Sequence, residues 1–125
     1  MVKKNKIWQV GKIDKRIIRL LELNIPNNTP IFIGYENINK IKAKHPEDYK
    51  KFGHRIPEII KKPDYIAKHP KKKSIEYIKV FKKNNTYVLV AVRASGSGRM
   101  YVRTLFVMSN EKVYKYWIKN ALISY

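Results

Sequence analysis

The sequence predicts an α+β fold in which N-terminal helices pack on a C-terminal antiparallel meander of three to four strands, followed by a C-terminal helix. Two runs rich in β-branched and aromatic residues, 86–95 and 99–108, alternate at period two and flank the loop 96–98. Short segments of helical period precede these runs, and one follows them. This order, with helices before the meander and one helix after it, is typical of α+β domains.

Start and stop signals place four helices in the first half of the chain. Asp14 caps the first helix, and His45 ends the second because the residue before a proline is pushed out of the α region. Pro46 and two carboxylates then start the third helix, which Gly53 ends. The four predicted helices cover residues 15–23, 36–44, 46–53 and 57–62.

Further strands are expected outside the central pair. A short strand at the start of the chain and a brief extended piece lie among the helices, and two strands precede the pair. These segments are 6–13, 31–34, 65–67 and 74–81. In the last of them, Tyr77 and Lys79 are expected to face outward. Ser109 or Asn110 caps the final helix, whose apolar stripe extends to Leu122.

The alternation gives the central pair one apolar face and one open, basic face. Arg93, Tyr101 and Arg103 are expected on the open face, whereas Thr104 falls on the other face with Phe106. A role for Thr104 beside the arginines therefore requires a β-bulge.

Length and composition restrict the class of protein. The 125 residues suit a single domain over 1–125. Its 28 Lys plus Arg against nine Asp plus Glu, a formal charge of +19, point to a polyanionic partner and first of all to nucleic acid. The alternative is a lysine-rich surface without such a partner. Cysteine is absent, which excludes disulfides and thiolate metal sites.

The sequence also bears on location. No apolar run approaches a membrane span of about 20 residues. The basic start at 1–6 is not followed by the apolar stretch of a signal peptide. We expect a cytoplasmic protein without membrane contact.

Elimination favours RNA cleavage without a metal or other cofactor. The sequence has no phosphate-binding glycine motif, and its nine acids are too scattered for a two-metal site. In RNA the 2′-hydroxyl is itself the nucleophile, so the protein must supply a base, an acid and cations. Arg93 and Arg103 suit phosphate contacts, and Tyr101 could stack on a base or donate a proton. The alternative is that all three are solvated residues of an exposed sheet face.

Histidines and one loop supply further candidates. His45 at a helix N-terminus suits a neutral base, or it is a capping and packing residue. His54 is expected on the surface, and His69, in a lysine-rich loop, near phosphate at most. The loop with Ser95 and Ser97 could present backbone N–H groups to phosphate, or be a plain hairpin loop.

Several segments together resemble a known family. They are 10–13, 41–47, 56–66, 74–79, 90–93 and 101–104. The chain resembles the phage-associated branch of the BECR nucleases, a group that joins Barnase, EndoU, colicin-type tRNases and RelE-like folds. The resemblance implies a metal-independent ribonuclease of the kind found in toxins and toxin–antitoxin pairs. The matching positions are His45, Glu76, Lys79, Arg93, Tyr101, Arg103 and Thr104. Lys40 stands where relatives often have a histidine.

The sequence thus predicts an endoribonuclease acting on tRNA or mRNA, with an acidic protein antitoxin as a candidate partner. The alternative is a non-catalytic RNA- or DNA-binding module using the same basic face. The expected catalytic residues are His45, Arg93, Tyr101, Arg103 and Thr104. The expected substrate-binding residues are Lys40, Glu76, Lys79, Ser95 and Ser97. No metal ligand is expected.

Overall fold

A computed structural model describes residues 6–125, which form a seven-stranded sheet and five α-helices. The strands are β1 (Ile7–Ile13), β2 (Thr29–Gly34), β3 (Tyr65–Lys68), β4 (Ile75–Phe81), β5 (Thr86–Ala94), β6 (Met100–Val107) and β7 (Ile123–Ser124). The helices are α1 (Lys15–Leu20), α2 (Tyr35–Lys44), α3 (Pro46–Phe52), α4 (Ile56–Lys61) and α5 (Asn110–Ile118). The expectation about a signal peptide depends on the basic start of the chain, and residues 1–5 of that start lie outside the described residues.

The sheet confirms the α+β class but is wider than the predicted meander. Its order is β1-β2-β6-β5-β4-β3-β7, and every pairing is antiparallel except that of β2 with β6. The meander itself is β3 to β6. The β1–β2 hairpin extends it on one side, and the two-residue strand β7 extends it on the other. The final helix ends at Ile118 rather than reaching Leu122, because Asn120 takes a left-handed conformation with φ of 54°.

Both faces of the sheet are covered, and this explains one wrong expectation. The main core lies under α1 and α4 and includes Ile17, Ile59 and Val90. A smaller core on the second face lies under α5. Tyr77 does not face outward: it is fully buried in the main core. When a strand has apolar residues on both sides, alternation alone cannot assign its inner face.

A β-bulge in β6 changes which residues lie on the second face. Ala91 of β5 is opposite Thr104, and Val92 is opposite Val102, so Arg103 has no counterpart on β5. Beyond this extra residue the alternation is reversed: Leu105 joins the main core, while Phe106 packs with the smaller core. The assignment of Thr104 and Phe106 to the face opposite the arginines was therefore wrong.

Helices α2 and α3 lie where strands β2 and β6 separate. These strands pair at only two positions, Ile31 with Met100 and Phe32 with Tyr101. Helix α2 packs against both strands, and α3 packs against β6. The carboxylate of Asp48 accepts a hydrogen bond from the Val107 backbone N–H at 3.0 Å, replacing a strand partner. The α2–α3 joint thereby brings His45 against Phe106, with ring centroids 5.4 Å apart.

Candidate active site

A groove of about 390 Å³ opens on the second face of the sheet. We call it the central groove. Strand β5 forms its floor, β4 and β6 form its sides, and α5, the 69–74 loop and the α2–α3 joint form its rim. Its lining residues are Lys44, His45, His69, Lys72, Ser74, Glu76, Leu89, Ala91, Arg93, Arg103, Thr104, Phe106, Lys112 and Tyr116.

The strand register sets the width of this groove. Glu76 of β4 is paired with Ala91 of β5, which is paired with Thr104 of β6. Since adjacent strands lie about 4.8 Å apart, the Cα atoms of Glu76 and Thr104 are about 10 Å apart. The Ala91 side chain is a single methyl group, which leaves space between the two flanking side chains. The groove thus has a carboxyl group on one side and a hydroxyl group on the other.

Glu76 is the buried ionisable group of the groove. It is 5% exposed, and its Oε1 accepts a hydrogen bond of 2.8 Å from the Tyr116 hydroxyl. Burial raises the pKa of Glu76, while the Tyr116 hydrogen bond and then the nearby basic side chains act in the opposite direction. Burial, with the adjacent carboxylate, also raises the pKa of Tyr116, so this hydroxyl remains a donor. The result is a carboxyl group held in position and poised to accept a proton.

His69 occupies the groove with a fixed tautomer. Its Nδ1 accepts hydrogen bonds from the backbone N–H groups of Lys71 and Lys72, at 3.1 and 3.0 Å. The proton of the neutral ring is therefore on Nε2. The His69 backbone N–H donates to the Ser74 carbonyl at 2.9 Å, closing the loop. Sequence analysis did not include His69 among the site residues, although the short hairpin between β3 and β4 returns it toward Glu76.

Two arginines, one on β5 and one on β6, also line the groove. Arg103 is the extra residue of the bulge, and its Nη2 donates to the Ala94 carbonyl at 3.2 Å. Its Nε is buried and has no protein acceptor among the described residues. Arg93 lies on the neighbouring strand, half-buried, and also lines the groove. An oxyanion bound here would receive charge-assisted hydrogen bonds from two strands.

A second groove, of about 360 Å³, adjoins the first at Arg103. We call it the side groove. It is lined by Ile7, Glu36, Asn37, Lys40, Ser95, Tyr101 and Arg103. The structure thus separates the predicted site residues. His45, Glu76, Arg93 and Thr104 line the central groove, Lys40, Ser95 and Tyr101 line the side groove, and Arg103 lines both.

Two predicted substrate-binding residues line neither groove. Lys79 lies on the main-core face of β4, three residues after Glu76, and its Nζ donates to the Lys62 carbonyl at 2.8 Å. Ser97 lies at the tip of the β5–β6 hairpin, where its hydroxyl is 2.8 Å from that of Ser95. We assign neither residue to substrate contact. His54, expected on the surface, is exposed in the 3₁₀ turn Gly53–Arg55.

Tyr116 is another residue that sequence analysis missed. It lies on α5, and its contact with Glu76 spans 40 positions of the chain. The apolar stripe expected on the last helix did not include Tyr116; it ran through Tyr114, Trp117 and Ile118, which are exposed. No local signal in the sequence indicates that this hydroxyl meets a carboxyl group.

Residues 6–125 contain neither a metal-binding cluster nor a membrane-spanning helix. There, no group of three His, Cys, Asp or Glu side chains is arranged to hold a metal ion. In the same residues, no helix combines the length and apolar character needed to cross a membrane.

Comparison with known proteins agrees with the resemblance found in the sequence. The profile of a family described as phage-Barnase-EndoU-ColicinE5/D-RelE like nuclease3 matches residues 8–115. No curated protein and no solved structure shows significant similarity to the chain. The matched segment contains every residue that lines the two grooves except Ile7 at the start of β1 and Tyr116 near the end of α5. The chain belongs to this family of phage Barnase-EndoU-ColicinE5/D-RelE-like nucleases.

Proposed function

We propose that the protein is an endoribonuclease that cleaves RNA by attack of the 2′-hydroxyl on the adjacent phosphate, without a metal ion. One observation supports this most strongly: the central groove brings Glu76, two histidines and two arginines together on one face of the sheet. These are the groups that in-line attack by a 2′-hydroxyl requires, namely a base, an acid and cations for the developing charge.

Glu76 is the proposed general base. A base is most effective when its pKa approaches the working pH, and burial moves the pKa of Glu76 in that direction. The Tyr116 hydroxyl fixes the orientation of the carboxylate at 2.8 Å. Thr104, on the same row of the sheet, is placed to hydrogen-bond the substrate across Ala91.

His45, for which the sequence suggested the role of base, is here the proposed general acid that protonates the leaving 5′-oxygen, because Glu76 takes the role of base. It lies on the β6 side of the groove beside Phe106, across the floor from Glu76. In-line displacement requires the base and the acid on opposite sides of the phosphate, and an acid at His45 facing a base at Glu76 would suit that requirement. His69 has the different role of donating its Nε2–H to a non-bridging phosphate oxygen.

Arg93 and Arg103 are the proposed ligands of the phosphate. Within residues 6–125 the buried Nε of Arg103 has no acceptor, and leaving this donor unpaired is costly unless a substrate supplies one. Charge that develops on the phosphate oxygens in the transition state would be met by donors already in place.

We further propose that the protein acts as the toxin of a toxin–antitoxin or phage-conflict system. A formal charge of +19 suits a folded RNA target such as tRNA or mRNA. The same charge suits an acidic protein antitoxin that covers the central groove. Complementary charge would speed association with the antitoxin and mask the phosphate site.

The test is cleavage of an RNA oligonucleotide by the purified protein in EDTA. The expected products end in a 2′,3′-cyclic phosphate, and a single 2′-deoxy substitution at the cleaved position should abolish cleavage there. Cleavage that survives this substitution would refute attack by the 2′-hydroxyl. Tight RNA binding without any cleavage would instead favour the non-catalytic binding module.

A further inference from the structure

A cleft between β1 and the helices α2, α3 and α4 opens at the edge of the main core. We call it the outer cleft. It consists of two adjoining cavities of about 540 and 270 Å³, and both have Tyr49, Gly53 and His54 in their walls. It shares no lining residue with the central groove or the side groove. The outer cleft is therefore a separate surface, and what binds there does not depend on the proposed reaction.

The smaller cavity is apolar, and one of its walls is an exposed tryptophan. Trp8 on β1 is 44% exposed. The same cavity is lined by Ile38, Ile56 and Pro57. Apolar side chains grouped in this way leave a large apolar area in water, which is unfavourable unless a partner covers it. Tryptophan is also among the residues that contribute most to binding at protein interfaces.

Tyr49 is held in place at the junction of the two cavities. A Cβ atom at Gly53 would lie 2.8 Å from atoms of the Tyr49 ring, so this ring packs directly on the glycine backbone. The Lys42 ammonium lies 5.6 Å from the centre of the same ring. A wall that is already ordered lowers the entropy cost of binding.

The larger cavity gives the outer cleft a basic rim. Lys42 and Lys50 line it together with His54, and the walls of both cavities contain no acidic residue. Both lysines are exposed, and neither forms an ion pair within residues 6–125. An apolar cleft with a cationic rim is complementary to an apolar surface that is bordered by carboxylates.

A second copy of the chain does not supply such a surface. The apolar side chains exposed on α5 are Tyr114, Trp117 and Ile118, and lysines are interspersed among them at 115 and 119. If this stripe docked in the outer cleft, lysines of one copy would lie against lysines of the other. The charge therefore favours a different, acidic protein.

The free edge of β1 disfavours a partner that adds a further strand. A bulge at Val10 interrupts this strand between Gln9 and Gly11, and the Gln9 side-chain amide donates to the Gly11 carbonyl at 3.3 Å. Bulges protect an edge strand from pairing with another chain. Recognition therefore depends on side chains, as it does when an amphipathic helix lays its apolar face in a groove.

We propose that the outer cleft binds an acidic amphipathic helix of a protein partner. The apolar face of that helix contacts Trp8 and Tyr49, and its carboxylates pair with Lys42 and Lys50. Because the outer cleft and the central groove have no lining residue in common, such a partner leaves the central groove open. In this it differs from the antitoxin proposed above.

The test uses a synthetic peptide of about four helical turns, with leucine on one face and glutamate on the other. A control peptide has lysine in place of glutamate. The chain has two tryptophans, Trp8 and Trp117, so a ¹⁵N–¹H correlation spectrum contains two indole N–H signals, and Trp8→Phe assigns them. The acidic peptide should shift the Trp8 signal only, and the control peptide should shift neither. An unshifted Trp8 signal, or a shifted Trp117 signal, would overturn the proposal.

Two double variants with the same loss of charge separate the rim of the cleft from net charge. Lys42→Gln combined with Lys50→Gln should weaken binding of the acidic peptide by about tenfold, and so should Trp8→Ala. Lys115→Gln combined with Lys119→Gln, on α5, should leave binding nearly unchanged. Equal losses in the two double variants would show that the peptide responds only to net charge, and this would overturn the site.

Two further measurements address other occupants of the outer cleft. A 2′-deoxy oligonucleotide that shifts the Trp8 signal and displaces the peptide would make the cleft part of a nucleic-acid surface. Self-association that Trp8→Ala abolishes, as measured by sedimentation, would make it an interface between copies of the chain. Either result would overturn the assignment to an acidic partner helix, whereas a monomer whose peptide is not displaced would support it.

Discussion

Replacing Glu76 by glutamine separates a catalytic carboxyl group from a structural one. Glutamine keeps the size of the side chain and an oxygen that can accept the Tyr116 hydroxyl, which lies 2.8 Å from Oε1 in the native protein. The change removes only the ability to take up a proton. A general base contributes roughly 10²- to 10⁴-fold to a rate, so we expect cleavage to fall by at least about a hundredfold.

The same change should not destabilise the protein at neutral pH. Burial raises the folded-state pKa of Glu76 above its usual value of 4.5, so the native state binds this proton more tightly than the unfolded chain. The resulting stability is fully present below about pH 4.5 and is lost as pH rises through the raised pKa. Glutamine carries no charge at any pH. The Tm of Glu76→Gln should therefore equal or exceed that of the wild type at pH 7, and this advantage should disappear in acid.

The assay combines cleavage rate with thermal unfolding across pH. Glu111→Gln is the matched control, because Glu111 is exposed on α5 and only pairs with Lys115. It should leave both rate and Tm nearly unchanged. Wild-type cleavage by Glu76→Gln would refute the assignment of the base. A large loss of Tm at pH 7 would show instead that the ionised carboxylate stabilises the fold.

Other changes test the remaining parts of the site. Arg103→Ala should lower the cleavage rate by about a hundredfold. Arg103→Lys should retain only part of the wild-type rate, since lysine lacks the forked guanidinium. Wild-type rates for both variants would exclude a role of Arg103 in binding phosphate. Ala91→Leu should fill the floor between Glu76 and Thr104 and weaken binding of a 2′-deoxy oligonucleotide. A circular dichroism spectrum like that of the wild type would show that the sheet remains folded. Unchanged affinity would mean that substrate does not enter the central groove. His69→Ala should reduce the cleavage rate without moving the pH profile, because its proposed role is to donate a hydrogen bond, and a moved profile would make it an acid or base instead. RNA affinity should fall on the order of 10³-fold between 50 and 200 mM salt, as measured by fluorescence anisotropy, and a flat titration would contradict phosphate-dominated binding.

Much of the fold could be predicted from the sequence because the signals for its strands and helix ends are local. The central strand pair, the caps at Asp14 and Ser109, and the helix break at His45-Pro46 depend on neighbouring residues, and the structure has all of them. The bulge at Arg103 was not located, because one extra residue in an apolar strand leaves no local mark. Strand β7 has only two residues, too few for a pattern.

The grouping of residues in the central groove could be predicted from the sequence where they lie on adjacent strands, but not where they meet across the fold. Arg93 and Arg103 were assigned together because alternation on adjacent strands relates them. Tyr116 meets Glu76 from a helix 40 positions later in the chain. Such a contact depends on how α5 docks on the sheet, and composition and periodicity carry no information about that docking.

The short parallel seam between β2 and β6 has a consequence for how the protein loses activity. Only two residue pairs join the strands there, so few backbone hydrogen bonds resist a local separation of the N-terminal hairpin from the C-terminal meander. His45, Glu36 and Lys40 come from the N-terminal side of this seam, whereas Glu76, Arg93 and Arg103 come from the meander. Opening of the seam would take apart both grooves while the meander stays folded. Hydrogen exchange of the backbone N–H groups that bridge β2 and β6 would then report the fraction of molecules that are folded yet inactive. A partner that binds in the seam could inactivate the enzyme without contacting its catalytic groups.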